Sequence, residues 1–224
     1  MKFDTAPSRA LRLGTVYGVL LNDRAALEAL GDAVNAAPYK GAPKAPVLYI
    51  KPRNTHAGDG DTVAVPAGVD ALQTGPALGA LIGRAASRVS AEHALSCIAG
   101  YTVVNDFSVP HDQFYRPSIR YRARDGFCPI AAEARPASAV ADPDALSITV
   151  AIDGEVRLRG STRGFVRPLA RLIADVTEFM TLRPGDLLLS GVPHGAPLAR
   201  AGQSVEVRID GVGTLRNRLL REGA

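Results

Sequence analysis

Cysteine is nearly absent from this chain, with only Cys97 and Cys128 among 224 residues. Their spacing forms neither a disulfide framework nor a zinc motif, so both are expected as free thiols in a reducing compartment. No apolar run approaches the roughly eighteen residues that a membrane-spanning helix needs. The opening MKFDTAPSRALRLGTV lacks the apolar centre of a secretory signal, which makes the cytoplasm the expected location. The net charge is only +4. Residues 115 to 124 are the one basic stretch and no nucleic-acid reading motif surrounds them, so a nucleic-acid partner is not expected. Charge is missing altogether between Ala71 and Gly83.

What is present suits one packed body. With 46% hydrophobic residues, the chain can bury one sizeable core, and a single domain over residues 1 to 224 is expected. Twenty-two glycines, sixteen prolines and short apolar runs point to a strand-rich fold with many turns. Strands are expected over Leu11–Leu21, Val47–Ile50, Thr62–Val65, Leu78–Ile82, Tyr101–Val109 and Leu187–Ser190. Asp153-Gly154 and Asp210-Gly211 each signal a hairpin. Helices are expected over Arg24–Ala37, from a Ser90 cap to Cys97, and after Pro168. In the last, Leu169, Leu172, Ile173, Val176, Phe179 and Met180 share one apolar face that reads as core.

The chemistry is concentrated between Gly100 and Pro129. Arg120, Arg122 and Arg124 alternate, so in a strand they would line one face, with Arg116 nearby. Guanidinium forks suit the carboxylates of a di- or tricarboxylate and can stabilise an enolate. The same alternation also fits a solvent-facing strand edge. His111 is the first candidate for carrying a proton between carbons, because imidazole titrates near neutral pH; an idle loop histidine is the alternative. Lys51, delivered with Arg53 by the Val47–Ile50 strand, is the other proton-carrying candidate, and His194 is a weaker one.

Five segments occur in order across nearly the whole chain: YIKPRNT from Tyr49, LIGRAASRVSAEHALSCIAGYTVVNDFS from Leu81, RDGFCPI from Arg124, TLRPGDLLLSGVPHG from Thr181 and GVGTLRNRL from Gly211. On these the chain resembles the fumarylacetoacetate hydrolase superfamily. PYKGAPKAPVLYIKPRNT and FYRPSIRYRARDGFCPI are similar in particular to the N-terminal halves of the isomerase/decarboxylases of 4-hydroxyphenylacetate (homoprotocatechuate) degradation.

The resemblance implies an α+β, strand-rich fold, a mixed β-sandwich roll with a few peripheral helices. It implies conversion of 5-oxopent-3-ene-1,2,5-tricarboxylate through 2-hydroxyhepta-2,4-dienedioate to 2-oxohept-3-enedioate, with the isomerase step the nearer role. The alternative is a catalytically silent structural partner of a metal-binding homologous subunit. The implied partners are a small di- or tricarboxylate substrate and either further copies of this chain or the homologous C-terminal-type subunit.

Active family members bind Mg²⁺ or Mn²⁺ through a Glu-x-Glu pair and an aspartate. Asp106 matches the aspartate, but Gly75-Pro76-Ala77 stands where Glu-x-Glu belongs. Hard cations need several oxygen ligands, so this chain alone is not expected to hold the metal. Asp106 is then either a remnant ligand or a buried structural acid. Asp23–Glu28 contains no histidine for the family's His-Glu dyad, and Arg122 replaces a lysine. Gln113 matches a substrate-contacting glutamine, and Lys51 and Arg53 are retained.

Overall fold

The computed structural model describes residues 13–37, 40–111 and 118–223. Two mixed sheets carry the architecture. The larger orders six strands as Val47–Lys51, Val16–Leu20, Leu187–Leu189, Pro76–Ile82, Ile98–Asn105 and Arg135–Pro136. Its neighbours are antiparallel except for Val16–Leu20 beside Leu187–Leu189. The smaller sheet orders Glu155–Ser161, Ser147–Ile152, Ser204–Ile209, Gly213–Arg221 and Thr62–Val65, with the last pair parallel.

Burial explains which strands are central. Ser204–Ile209 buries every second residue, the pattern of a strand with one face on the core and one on solvent. Pro76–Ile82 and Ile98–Asn105 are buried on both faces along most of their length. The uncharged run from Ala71 to Gly83 contains the first of these strands, where a charge would be desolvated without a partner. Leu78, Tyr101 and Val103 from one sheet meet Ile148, Val150, Val207 and Leu215 from the other in a shared core.

Several expected boundaries move. The Asp153-Gly154 hairpin forms, with φ of 52° and 83° at the two residues, as a type I′ turn requires. The Leu169–Thr177 helix buries Leu169, Leu172, Ile173 and Val176. It ends before Phe179, which is 70% exposed rather than core. The first helix runs Arg24–Leu30 and then tightens into a 3-10 turn over Gly31–Val34. The strand expected to reach Val109 ends at Asn105.

The arginine segment corrects the expected strand. Ile119–Arg122 is a short helical turn, closed by bonds from the Tyr121 and Arg122 amides to the Ser118 carbonyl. Helical geometry separates neighbours by about 100°, so Arg120, Arg122 and Arg124 do not share one face. Among the described residues no helix is long and apolar enough to cross a membrane.

Candidate functional site

The site begins at the end of the edge strand Val47–Lys51. A strand's period of two puts Tyr49 and Lys51 on the same side, and here that side faces inward: Lys51 is buried while Ile50 between them is 56% exposed. Gly18 on the neighbouring strand makes the space. A Cβ there would lie 2.0 Å from the Tyr49 ring, so only glycine admits it.

Asp106 follows the Ile98–Asn105 strand. Its amide donates to the Gly75 carbonyl at 2.8 Å, and the Gly75 amide donates to the Asn105 side chain at 2.8 Å. These bonds fix the carboxylate beneath the edge strand. Lys51 Nζ lies 2.7 Å from Asp106 Oδ1, and Arg122 Nη1 lies 3.0 Å from Oδ2. The Tyr49 hydroxyl also donates to Oδ2. Lys51 and Asp106 side chains are fully shielded, and Arg122 is 13% exposed.

Lys51 has no spare proton. Its ammonium donates to the carbonyls of Phe107 at 3.3 Å, Arg122 at 2.6 Å and Phe127 at 3.1 Å besides pairing with Asp106. An ammonium has three donors, so this geometry makes Lys51 an internal brace in place of the proton carrier expected. The Arg122 guanidinium carbon sits 4.9 Å from the Tyr49 ring centre, a cation–π arrangement.

Burial pushes the Asp106 carboxyl up, but the charges of Lys51 and Arg122 and the bonds from Lys51 and Tyr49 overcome it, leaving it below its ordinary value. Tyr49 moves the other way: enclosure of its hydroxyl, then the Asp106 charge, hold it protonated well above the usual phenol range, against Arg122. Burial pushes the Cys128 thiol up to about 12, which removes it as a nucleophile.

A cavity of about 350 Å³ opens beside this cluster, with Tyr49, Asp106, His111, Arg122 and His194 on its wall. His111 stands edge-on to Tyr121, their rings 5.0 Å apart. His194 rides on a loop whose Ala196 and Pro197 carbonyls accept from Gln73 and Thr74. The structure thus brings together Asp106, His111 and Arg122, adds His194, and reveals Tyr49, which was missed. Tyr49-x-Lys51 alternation was the available signal.

Other expected residues fall elsewhere. Arg53 is exposed on a 3-10 turn and outside the cavity wall. Arg120 lies over Tyr121, 5.7 Å from its ring centre. Arg124 donates to the Arg120 carbonyl and lines a different cavity with Asp125 and Glu222. Gln113 and Arg116 lie outside the described residues.

The residues around Asp106 do not fit a divalent ion. Ala77 has no side-chain donor, and at Gly75 even a Cβ would lie 2.1 Å from the Asp106 carbonyl oxygen. Among the described residues no group of three or more histidines, cysteines or carboxylates could hold a metal.

Comparisons with known proteins agree with this architecture. The family model described as "Fumarylacetoacetate (FAA) hydrolase C-terminal" matches residues 15–220. The "4-hydroxyphenylacetate degradation bifunctional isomerase/decarboxylase" of Escherichia coli is 38% identical over 209 residues, 93% of this chain and 48% of that protein. The chain thus spans about half the length of that curated relative. A solved 5-carboxymethyl-2-hydroxymuconate delta-isomerase from Mycobacterium smegmatis is 30% identical with a TM-score of 0.79, covering 97% of this chain and 82% of its own. A fumarylpyruvate hydrolase from Pseudomonas aeruginosa, solved with Mn²⁺ and pyruvate, is 27% identical with a TM-score of 0.81, covering 94% and 91%.

Proposed function

The chain belongs to the fumarylacetoacetate hydrolase family, and from that premise we propose that it is an isomerase component of 4-hydroxyphenylacetate catabolism. Its substrate is 2-hydroxyhepta-2,4-dienedioate and its product 2-oxohept-3-enedioate. The observation that carries this reading is the convergence of Arg122, His111 and His194 on the wall of one cavity of about 350 Å³.

The step is a proton relocation that conserves atoms. The enol proton leaves the oxygen on carbon 2, the carbon 2 to carbon 3 electron pair shifts along the diene, and a proton is added at carbon 5. Two histidines on one wall suit such a relay, one as acceptor and one as donor. Arg122 binds a carboxylate and offsets negative charge on the dienolate. The preceding decarboxylation of the tricarboxylate is not assigned to this chain.

A second reading is favoured by one specific observation, the Gly75 and Ala77 replacements at the family's metal position. On that reading the chain is a silent partner that supports a separate, metal-competent homologue. Following the loss of diene absorbance with purified chain, with and without excess chelator, separates the two. Turnover by the chain alone that chelator leaves unchanged supports the isomerase. Turnover that begins only when the homologous subunit is added, in the absence of chelator, supports the silent partner.

A further inference from the structure

A divalent cation approaching Asp106 meets a carboxylate already engaged on both oxygens. Oδ1 pairs with Lys51 at 2.7 Å, and Oδ2 pairs with Arg122 at 3.0 Å and accepts from Tyr49. Two cations against one carboxylate leave the cluster with net positive charge, which repels a further cation. Position 77 supplies no side-chain oxygen, and position 75 has no room for a side chain that could.

We infer that this site has exchanged its metal for a protein-borne cation: the Arg122 guanidinium, held by Asp106, Lys51 and Tyr49, is the fixed charge that grips the carboxylate of a small 2-oxo dicarboxylate. The inference rests on the cavity being the ligand site, as proposed above, and not on turnover.

The parts divide cleanly. Lys51 is a positioning residue, braced by three carbonyls beneath the cavity and holding the Asp106 carboxylate. Asp106 holds one end of the guanidinium through Nη1. The Tyr49 ring supports its plane, and Gly18 gives that ring its place. Arg122 Nε has no hydrogen-bond partner among the described residues, so Asp106 does not exhaust its donors. A planar, permanently charged fork binds a carboxylate at two points, which a lysine at the same position does not.

Calorimetric titration of the purified chain tests this, with 2-oxoadipate (an unbranched six-carbon 2-oxo dicarboxylate) as one probe and Mn²⁺ alone as the other. The expected result is equal 2-oxoadipate affinity in EDTA and in Mn²⁺, with no stoichiometric binding of Mn²⁺ itself. Tyr49→Phe and Arg122→Lys each weaken 2-oxoadipate by about tenfold or more, with the circular dichroism spectrum retained. Lys51→Met does the same wherever it folds, although it touches no ligand.

One Mn²⁺ bound per chain, a ligand that requires Mn²⁺, no ligand binding in any condition, or unchanged affinity in both Tyr49→Phe and Arg122→Lys would each overturn the inference. Turnover of the hydroxydienedioate is scored apart. Metal-free binding without turnover leaves this inference standing and removes the isomerase reading. Turnover with affinity unaltered in Arg122→Lys and Tyr49→Phe does the reverse.

Discussion

The Lys51 ammonium lies 2.7 Å from the Asp106 carboxylate, and neither side chain reaches solvent. Each charge is tolerable in the interior only because the other is there. Replacing Asp106 by asparagine would leave Lys51 and the largely buried Arg122 without their counter-charge. We expect Asp106→Asn to cost about 3–5 kcal/mol of stability, read by urea denaturation. A loss below about 1 kcal/mol, the worth of an exposed pair, would show that the cluster is open to solvent.

Acid should act on the same pair. Asp106 titrates below its ordinary value of 3.8 in the folded chain, so near that pH the unfolded chain binds more protons and stability rises with pH. Its contribution is complete above the unfolded value and is lost as pH falls through the folded one. The stability gap between the native chain and Asp106→Asn should therefore shrink as urea titrations move from pH 7 into that acid range. A gap that stays constant contradicts the pairing.

Gly18→Ala should disturb the site from one strand away. Its Cβ would meet the Tyr49 ring at 2.0 Å, which forces the ring out from beneath Arg122. Overpacking of this kind costs about 1–3 kcal/mol. A melting temperature equal to the native one would mean that the ring moves freely.

For the proposed proton relay, His111→Ala and His194→Ala are the informative changes. Removal of a general acid or base lowers turnover by about 10²–10⁴-fold, and both residues lie on the cavity wall, outside the core. Diene absorbance measured with each variant should show that loss, with melting unaltered. Full activity in both would take the relay away from these residues.

A glutamate placed at position 75 should not create a metal site. In Gly75→Glu the new Cβ would fall 2.1 Å from the Asp106 carbonyl oxygen, so the variant is expected to be destabilised without acquiring Mn²⁺ affinity. Tight, stoichiometric Mn²⁺ binding by this single variant in calorimetry would show that the backbone yields.

Much of the sheet was legible because strands announce themselves locally. Asp153-Gly154 and the alternation through Ser204–Ile209 place a hairpin and an inward face without knowledge of the rest. The arginine segment misled for a local reason too. RYRAR alternates in sequence, but the bonds to the Ser118 carbonyl wind it into a turn, and only Arg122 points toward Asp106. Tyr49 was passed over although its alternation with Lys51 puts the two on one side of a strand, because its contact with Asp106 is made 57 positions away.

Residue types decided, before any fold was known, that positions 75 and 77 offer no side-chain oxygen, since glycine and alanine have none whatever surrounds them. They also decided the strand-rich character, because β-propensity and turn chemistry act over a few neighbours. The arrangement of charges around Asp106 was decided by tertiary structure alone. Lys51, Asp106 and Arg122 stand 55 and 16 positions apart in sequence, and only sheet pairing with burial brings their charges within 3.0 Å. A charge pair of that kind depends on distance and dielectric, and neither is written in the order of the residues.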